Sequence, residues 1–145
     1  MKTTKLRIGD LDLGQGLILA PMAGITDLSF RRIAKSFEVD LVTSEMVSSE
    51  GLVRNKVSTK MLFQSHEEEK PLAVQLFGSD PKVVAEAARI VADEGADIID
   101  VNMGCPVPKV VRQGAGAALL QDVETVASLV DAVRQAVNIP LTVKT

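Results

Sequence analysis

The chain has few of the residues that form covalent, metal-bound or aromatic frameworks. Its 145 residues include one Cys, one His and four Phe, and neither Trp nor Tyr occurs. A single cysteine excludes an internal disulfide and offers no clustered zinc ligands, which agrees with a reducing compartment, and no metal site is expected. The scarcity of aromatic rings leaves few platforms on which nucleic-acid bases can stack within this segment.

A strong charge imbalance and a long apolar run are also missing. Sixteen Lys and Arg against nineteen Asp and Glu give a net charge of −3. This charge excludes an overall positive potential that would attract polyanions such as nucleic acids. Nucleic acid would therefore need a local basic patch. The apolar segment 17–23 is far shorter than the ~20 residues of a membrane span, and no secretory signal is visible. We expect a cytoplasmic protein that does not associate with a membrane.

What the sequence does contain is an alternation of short apolar runs with helical patterns. Helices are predicted after the caps Asp27, Asp80 and Asp122, with a less regular helical segment at 48–63. Strands are predicted at 17–20, 39–43, 72–76, 97–101 and 141–144.

Repeated strand and helix units with nearly continuous apolar strands predict a parallel α/β sheet covered by helices. An open dinucleotide-binding sheet typically has G-x-G-x-x-G after its first strand, and Pro21-Met22-Ala23-Gly24 lacks that spacing. The alternative is a TIM (β/α)8 barrel, which usually takes ~250 residues. We therefore expect residues 1–145 to be the first five strands of such a barrel, with the remaining strands absent.

Barrel active sites assemble at the carboxyl ends of the strands. The unusual residues of this chain all lie at or just after the carboxyl ends of predicted strands: Pro21, Met22, Ala23, Glu45, Met46, Gln75, Asn102, Cys105 and Lys144. Each has a structural alternative, such as a capping carboxylate, a solvated lysine or a small buried thiol. Together on one rim, they favour a ligand site.

Five segments carry a family resemblance. They are Ala20-Pro21-Met22-Ala23-Gly24-Ile25-Thr26-Asp27, Ser44-Glu45-Met46-Val47, Val74-Gln75-Leu76-Phe77-Gly78, Asn102-Met103-Gly104-Cys105-Pro106 and Val143-Lys144. In this order and spacing they resemble the tRNA-dihydrouridine synthases. The resemblance implies an FMN enzyme, an oxidoreductase acting on CH–CH bonds, that reduces uridine in tRNA to 5,6-dihydrouridine with NADPH.

The resemblance also implies roles for individual residues. FMN would be bound by Pro21, Met22, Ala23, Gln75 and Lys144; Asn102 would contact the substrate uracil, and Cys105 would protonate it. A thiol suits the last role, because a free cysteine is mostly protonated at neutral pH. The family also implies a C-terminal helical tRNA-binding domain beyond these residues.

Two basic residues, Lys109 and Arg112, lie just beyond the cysteine and are candidates for holding RNA phosphates, although ordinary exposed charges explain them equally well. The family often has Asn where Val111 stands. The nearby Gly114 and Gly116 either permit a close backbone approach or ease a turn.

Two other functions stay open. A different FMN barrel acting on a free pyrimidine or enone would share the flavin positions but not the tRNA. A non-catalytic half-barrel would self-associate through open sheet edges. For the 145-residue piece alone, we expect no activity and weak or no FMN binding.

Overall fold

The computed structural model describes residues 5–145. In chain order its elements are β1 (Arg7–Ile8), β2 (Leu11–Asp12), α1 (Leu28–Lys35), β3 (Val42–Thr43), β4 (Val47–Ser48), α2 (Ser49–Val53), α3 (Val57–Met61), β5 (Leu72–Phe77), α4 (Pro81–Asp93), β6 (Ile98–Asn102), α5 (Pro108–Val111), α6 (Val123–Ala136) and β7 (Leu141–Lys144). Short 3-10 helices lie at Glu67–Glu69 and Gly116–Gln121.

The main sheet is parallel throughout. Its strands follow the order β3, β5, β6 and β7, and β4 pairs with a later part of β5. Helices α4 and α6 connect strands that are neighbours in the sheet, as the crossovers of an α/β fold require. The predicted α/β class with a parallel sheet is confirmed.

The first two predicted strands are shorter than expected. Segment 17–20 pairs through a single parallel bridge between Ile18 and Leu41, and the second strand is limited to Val42–Thr43. Pairing does not continue through Pro21, which has no backbone N–H to donate, and the hydrogen bonds of the following turn begin at the Met22 carbonyl. Two further pieces were not predicted: the antiparallel hairpin of β1 and β2, and β4. Each strand in them has two residues, too few to show a period.

The predicted helix caps are confirmed, because capping depends on neighbouring residues. The carboxylates of Asp27, Asp80 and Asp122 each accept a hydrogen bond from a backbone N–H of the first turn, and Pro81 occupies the start of α4. Segment 48–63 forms the two short helices α2 and α3.

Helix α1 buries a charge rather than its apolar residues. Ile33 is 60% exposed, whereas Arg31 is fully buried. The guanidinium of Arg31 donates to both carboxylate oxygens of Glu69 and to the carbonyls of Thr26 and Gln64. The arginine therefore ties the start of α1 to the loop before β5.

The two faces of the sheet bury different side chains. Leu72, Val74 and Leu76 of β5 point to the helices, where they pack with residues of α4 and α6. Ala73, which alternates with them, faces inward with Ile98, Leu13 and Leu41. We call these last four residues the apolar cluster; the β1–β2 hairpin covers it through Ile8 and Leu11.

Candidate active site

The register of three strands brings polar residues to one edge of the inward face. Gln75 pairs with Asp100, Asp100 with Thr142, and Asn102 with Lys144. Paired residues of a parallel sheet lie on the same face, and so do residues two apart in one strand. We call Gln75, Asp100, Asn102 and Thr142 the carboxyl edge.

The carboxyl edge is one continuous hydrogen-bonded chain. Thr142 Oγ1 donates to Asp100 Oδ1 at 2.6 Å, and Gln75 Nε2 donates to Asp100 Oδ2 at 2.6 Å. Asn102 Nδ2 then donates to Gln75 Oε1 at 3.0 Å. Gln75 is fully buried, and Asp100 and Asn102 are 8% and 6% exposed. The polar groups compensate one another inside the protein.

Asn102 also shapes the loop that carries the cysteine. Its Oδ1 accepts hydrogen bonds from the backbone N–H groups of Cys105 at 2.9 Å and Gly104 at 3.3 Å. Behind the loop, the Cys105 carbonyl accepts a hydrogen bond from Ala117 N at 3.0 Å. Cys105 is a free, half-buried thiol. The loop is thus held from two sides while its thiol keeps access to solvent.

Gly116 allows the second of these contacts. Its φ is +62°, and a Cβ there would lie 2.6 Å from the Cys105 carbonyl oxygen. Of the two interpretations of this glycine, close backbone approach is confirmed. Gly114 also has positive φ, but its Cβ would meet only Ser79 at 3.4 Å, an ordinary contact.

The loop containing Pro21, Met22 and Ala23 is closed by its own hydrogen bonds and by a carboxylate. Met22 N donates to Thr26 Oγ1 at 3.1 Å, and that hydroxyl donates back to the Met22 carbonyl at 3.2 Å. The N–H of the next glycine, Gly24, donates to Glu45. The predicted loop is therefore a tight turn fastened to Glu45, the second residue after β3.

Ser44 joins this loop system to the carboxyl edge. Its hydroxyl accepts the backbone N–H of Gln75 at 3.1 Å and donates to the Glu45 carbonyl at 2.8 Å. On the other side, Met46 Sδ lies 3.5 Å from Asn102 Nδ2. Residues just after β3 are thus connected to residues near the carboxyl ends of β5 and β6, as the common edge of parallel strands predicts.

Lys144 reaches the same edge through its strand. Its carbonyl accepts the N–H of Met103 at 2.8 Å, and its register opposite Asn102 puts its side chain on the inward face. The side chain is exposed.

Lys109 and Arg112 lie apart from the hydrogen-bonded chain, on and just after the short helix α5. Both are exposed. Lys109 lines a cleft of about 500 Å³ together with Arg54 and Lys56. Arg54 is paired with the carboxylate of Glu50 at 2.8 Å, which offsets part of the positive charge.

Sequence reasoning missed Asp100, Thr142 and Ser44. The signal for Asp100 was available, because it stands two residues before Asn102 in a strand and must share its face. It was hidden by reading 97–101 as a uniformly apolar run. Thr142 carries no local signal, since its importance comes from pairing with a residue 42 positions away.

Neither a metal cluster nor a membrane helix is found between residues 5 and 145. No group of three or more His, Cys, Asp or Glu side chains in this range could hold a metal ion. Within the same range, every helix is too short or too polar to cross a membrane.

Comparison with known proteins identifies the family. The family model described as dihydrouridine synthase matches residues 18–145. The chain is 45% identical over 139 residues to tRNA-dihydrouridine synthase B of Pseudomonas aeruginosa, covering 96% of the chain and 42% of that relative. It is 43% identical over 140 residues to a probable tRNA-dihydrouridine synthase of Rickettsia prowazekii, covering 96% and 43%.

A probable tRNA-dihydrouridine synthase of Treponema pallidum is 43% identical over 143 residues, covering 94% of the chain and 42% of the relative. The chain thus spans about two fifths of the length of the curated relatives it matches. It belongs to the dihydrouridine synthase family, and its parallel strands form the N-terminal part of that family's TIM barrel.

Proposed function

We propose that this chain is the N-terminal part of an FMN-dependent enzyme that reduces uridine in tRNA to 5,6-dihydrouridine with NADPH as the reductant. The observation that carries the proposal is the hydrogen-bonded chain linking Gln75, Asn102 and the Cys105 loop at one edge of the sheet. The names of the relatives support tRNA as the substrate.

The donors and acceptors at the carboxyl edge fit a flavin ring. Gln75 uses one N–H on Asp100 and accepts one bond from Asn102, so one N–H and one carbonyl lone pair remain. That pair matches the alternating C=O and N–H groups of a flavin pyrimidine. Lys144 would place a cation near the same ring, and the turn at Pro21, Met22 and Ala23 would offer backbone groups. FMN bound here would supply hydride chemistry for C6 of the uracil.

Cys105 would donate the proton that C5 of the uracil requires. General acid catalysis of this kind is typically worth about 10²–10⁴-fold. It depends on a donor held in place, and the loop is held by Asn102 Oδ1 and by the N–H of Ala117. The half-buried thiol combines that fixed position with access for a base turned out of the RNA stack.

Asn102 would recognise the uracil with the N–H that now faces Met46. Sulfur is a weak acceptor, and the Nδ2 to Sδ distance is 3.5 Å, so a uracil carbonyl would be a better partner. Lys109 and Arg112, both exposed, would contact RNA phosphates.

The remaining barrel strands and a C-terminal helical tRNA-binding domain would account for the part of the relatives that this chain does not cover. We place the enzyme in the cytoplasm, where tRNA and NADPH are available.

The isolated chain would self-associate through the edge of β7, the last strand in the sheet order, where Val143 is 41% exposed. Sedimentation of the isolated chain tests this, and a monomer would contradict it.

The test replaces Cys105 with Ala in the natural full-length protein. The flavin is reduced with NADPH and its reoxidation by unmodified tRNA is followed. We expect the rate to fall about 10²–10⁴-fold with the FMN content unchanged, because only the acid is lost. Ser65→Ala, at an exposed loop before β5, is the control. Unchanged turnover in Cys105→Ala would contradict the acid role, and faster reoxidation by free uracil than by tRNA would favour a barrel enzyme for free pyrimidines.

A further inference from the structure

We infer that Asp100 is a positioning residue that sets the orientation of two buried amides, Gln75 and Asn102, and through them the backbone of the Cys105 loop. The residue does not reach the loop itself; it acts through a series of hydrogen bonds. The part of the inference that concerns the flavin rests on the proposed function, whereas the part that concerns the Cys105 loop does not.

The direction of the hydrogen bonds follows from the chemistry of a carboxylate, which accepts and does not donate. Both oxygens of Asp100 receive hydrogen bonds of 2.6 Å, one from Thr142 Oγ1 and one from Gln75 Nε2. The NH2 end of the Gln75 amide must therefore face Asp100. A glutamine turned the other way would bring its oxygen against a carboxylate oxygen.

The orientation of the first amide determines that of the second. With Nε2 of Gln75 on Asp100, its Oε1 faces Asn102 and accepts Nδ2 at 3.0 Å. Asn102 is then left with its Oδ1 toward Cys105 N, at 2.9 Å. If both amides reversed, the Asn102 NH2 would face a backbone N–H, and the loop would lose its acceptor. One buried carboxylate thus selects the arrangement that holds the cysteine loop.

This orientation also defines what Gln75 offers to a ligand. Its remaining N–H belongs to the end next to Asp100, and its remaining lone pair belongs to the end next to Asn102. The order of donor and acceptor along the carboxyl edge is therefore set by Asp100, which only a folded sheet brings opposite Gln75.

The experiment compares three variants of the natural full-length protein in two measurements. Asp100→Leu removes the acceptor. Asp100→Asn is the conservative rescue, since its Oδ1 can still accept from Gln75 while its NH2 faces the Thr142 hydroxyl. Gln75→Glu combined with Asp100→Asn reverses the hydrogen bond between the two positions. In that double variant the introduced amide donates to the introduced carboxylate, whose other oxygen still accepts from Asn102.

The first measurement is the alkylation rate of Cys105 in the flavin-free protein, read at its own peptide by mass spectrometry. We expect Asp100→Leu to raise this rate about tenfold, as the loss of one buried hydrogen bond predicts. The rate should return to within about twofold of wild type in Asp100→Asn and in the double variant, since both keep the contact to Asn102. This measurement needs no flavin, so it tests Asp100 even if the proposed cofactor is wrong.

The second measurement is FMN affinity, by titration of flavin fluorescence. The affinity should fall about tenfold in Asp100→Leu and in the double variant, which lacks the side-chain N–H at position 75, and stay near wild type in Asp100→Asn.

Wild-type alkylation and affinity in Asp100→Leu would overturn the inference. The inference would also be overturned if Asp100→Asn changed the alkylation rate and the FMN affinity as much as Asp100→Leu does. The charge of Asp100, and not the orientation of the amides, would then determine both quantities. If Asp100→Leu does not fold, Asp100→Ala, which also removes the acceptor, takes its place in both measurements.

Discussion

The inward face of the sheet changes character within two residues along each strand. In β5, Ala73 belongs to the apolar cluster and Gln75 to the carboxyl edge; in β6, Ile98 and Asp100 make the same change. All four are buried. At the amino end the strands bury hydrocarbon under the hairpin, while at the carboxyl end they bury amides and a carboxylate that must satisfy one another. The amino end of this face therefore stabilises the fold, and the carboxyl end holds polar groups where barrels generally place their active sites.

The strongest test of the apolar end is a pair of leucines near the start of the chain. Leu13 is 1% exposed in the apolar cluster, whereas Leu17 is 54% exposed. Leu13→Ala should lower the free energy of unfolding by about 2–5 kcal/mol, because it leaves a cavity. Leu17→Ala should change it by no more than about 0.5 kcal/mol. Urea denaturation of this chain measures both, and equal losses would show that the hairpin does not close the cluster.

A pair of glycines gives the corresponding test at the carboxyl end. Gly114→Ala and Gly116→Ala share the cost of a left-handed backbone, about 1–2 kcal/mol. Only Gly116→Ala adds a contact with the Cys105 carbonyl, since its Cβ would lie 2.6 Å from that oxygen. We expect a further loss of about 1 kcal/mol there, as overpacking typically costs, together with faster alkylation of Cys105. Equal unfolding free energies and alkylation rates in the two variants would mean that the Cys105 loop moves away from the added methyl group at no measurable cost.

The smallest expected effect is an acid dependence in the hairpin. The backbone N–H of Gly14, and then Lys5, hold the pKa of Asp12 below its usual range. A lowered folded pKa stabilises the protein above the usual aspartate value of about 3.9, and the contribution is lost as the pH falls through the folded pKa. Asp12→Asn should therefore lower the urea midpoint slightly at pH 7, with the difference closing in acid. A difference that grows in acid would contradict this assignment.

Several elements were predictable because their causes are local. The caps at Asp80 and Asp122 act on N–H groups two or three residues away, so the starts of α4 and α6 follow from the sequence. The strands at 72–77 and 98–102 matched to within one residue, since a run of apolar residues is buried in any parallel sheet. The predicted extent of the strand at 17–20 was wrong, because the length of this strand depends on its pairing with the distant segment around Leu41, which forms a single bridge.

The site was predicted as a set of positions and not as a network. Gln75, Asn102 and Cys105 were each named from their place at or after the end of a strand, and the structure links them. Their proposed roles toward FMN and uracil stay predictions. Thr142 was missed because its hydrogen bond to Asp100 joins residues 42 positions apart, whereas Asp100 was missed because its strand was read as uniformly apolar.

The sequence by itself determined where α1, α4 and α6 begin, that the strands are parallel, and that a lone thiol follows the fourth predicted strand. These properties depend on composition, period and capping, which act over a few residues. The tertiary structure alone decided which amide faces which, that Gly116 presses against the Cys105 loop, and that the hairpin covers the apolar cluster. The physical reason is that buried hydrogen bonds and close contacts form between distant segments, whose spacing exists only once the sheet is assembled.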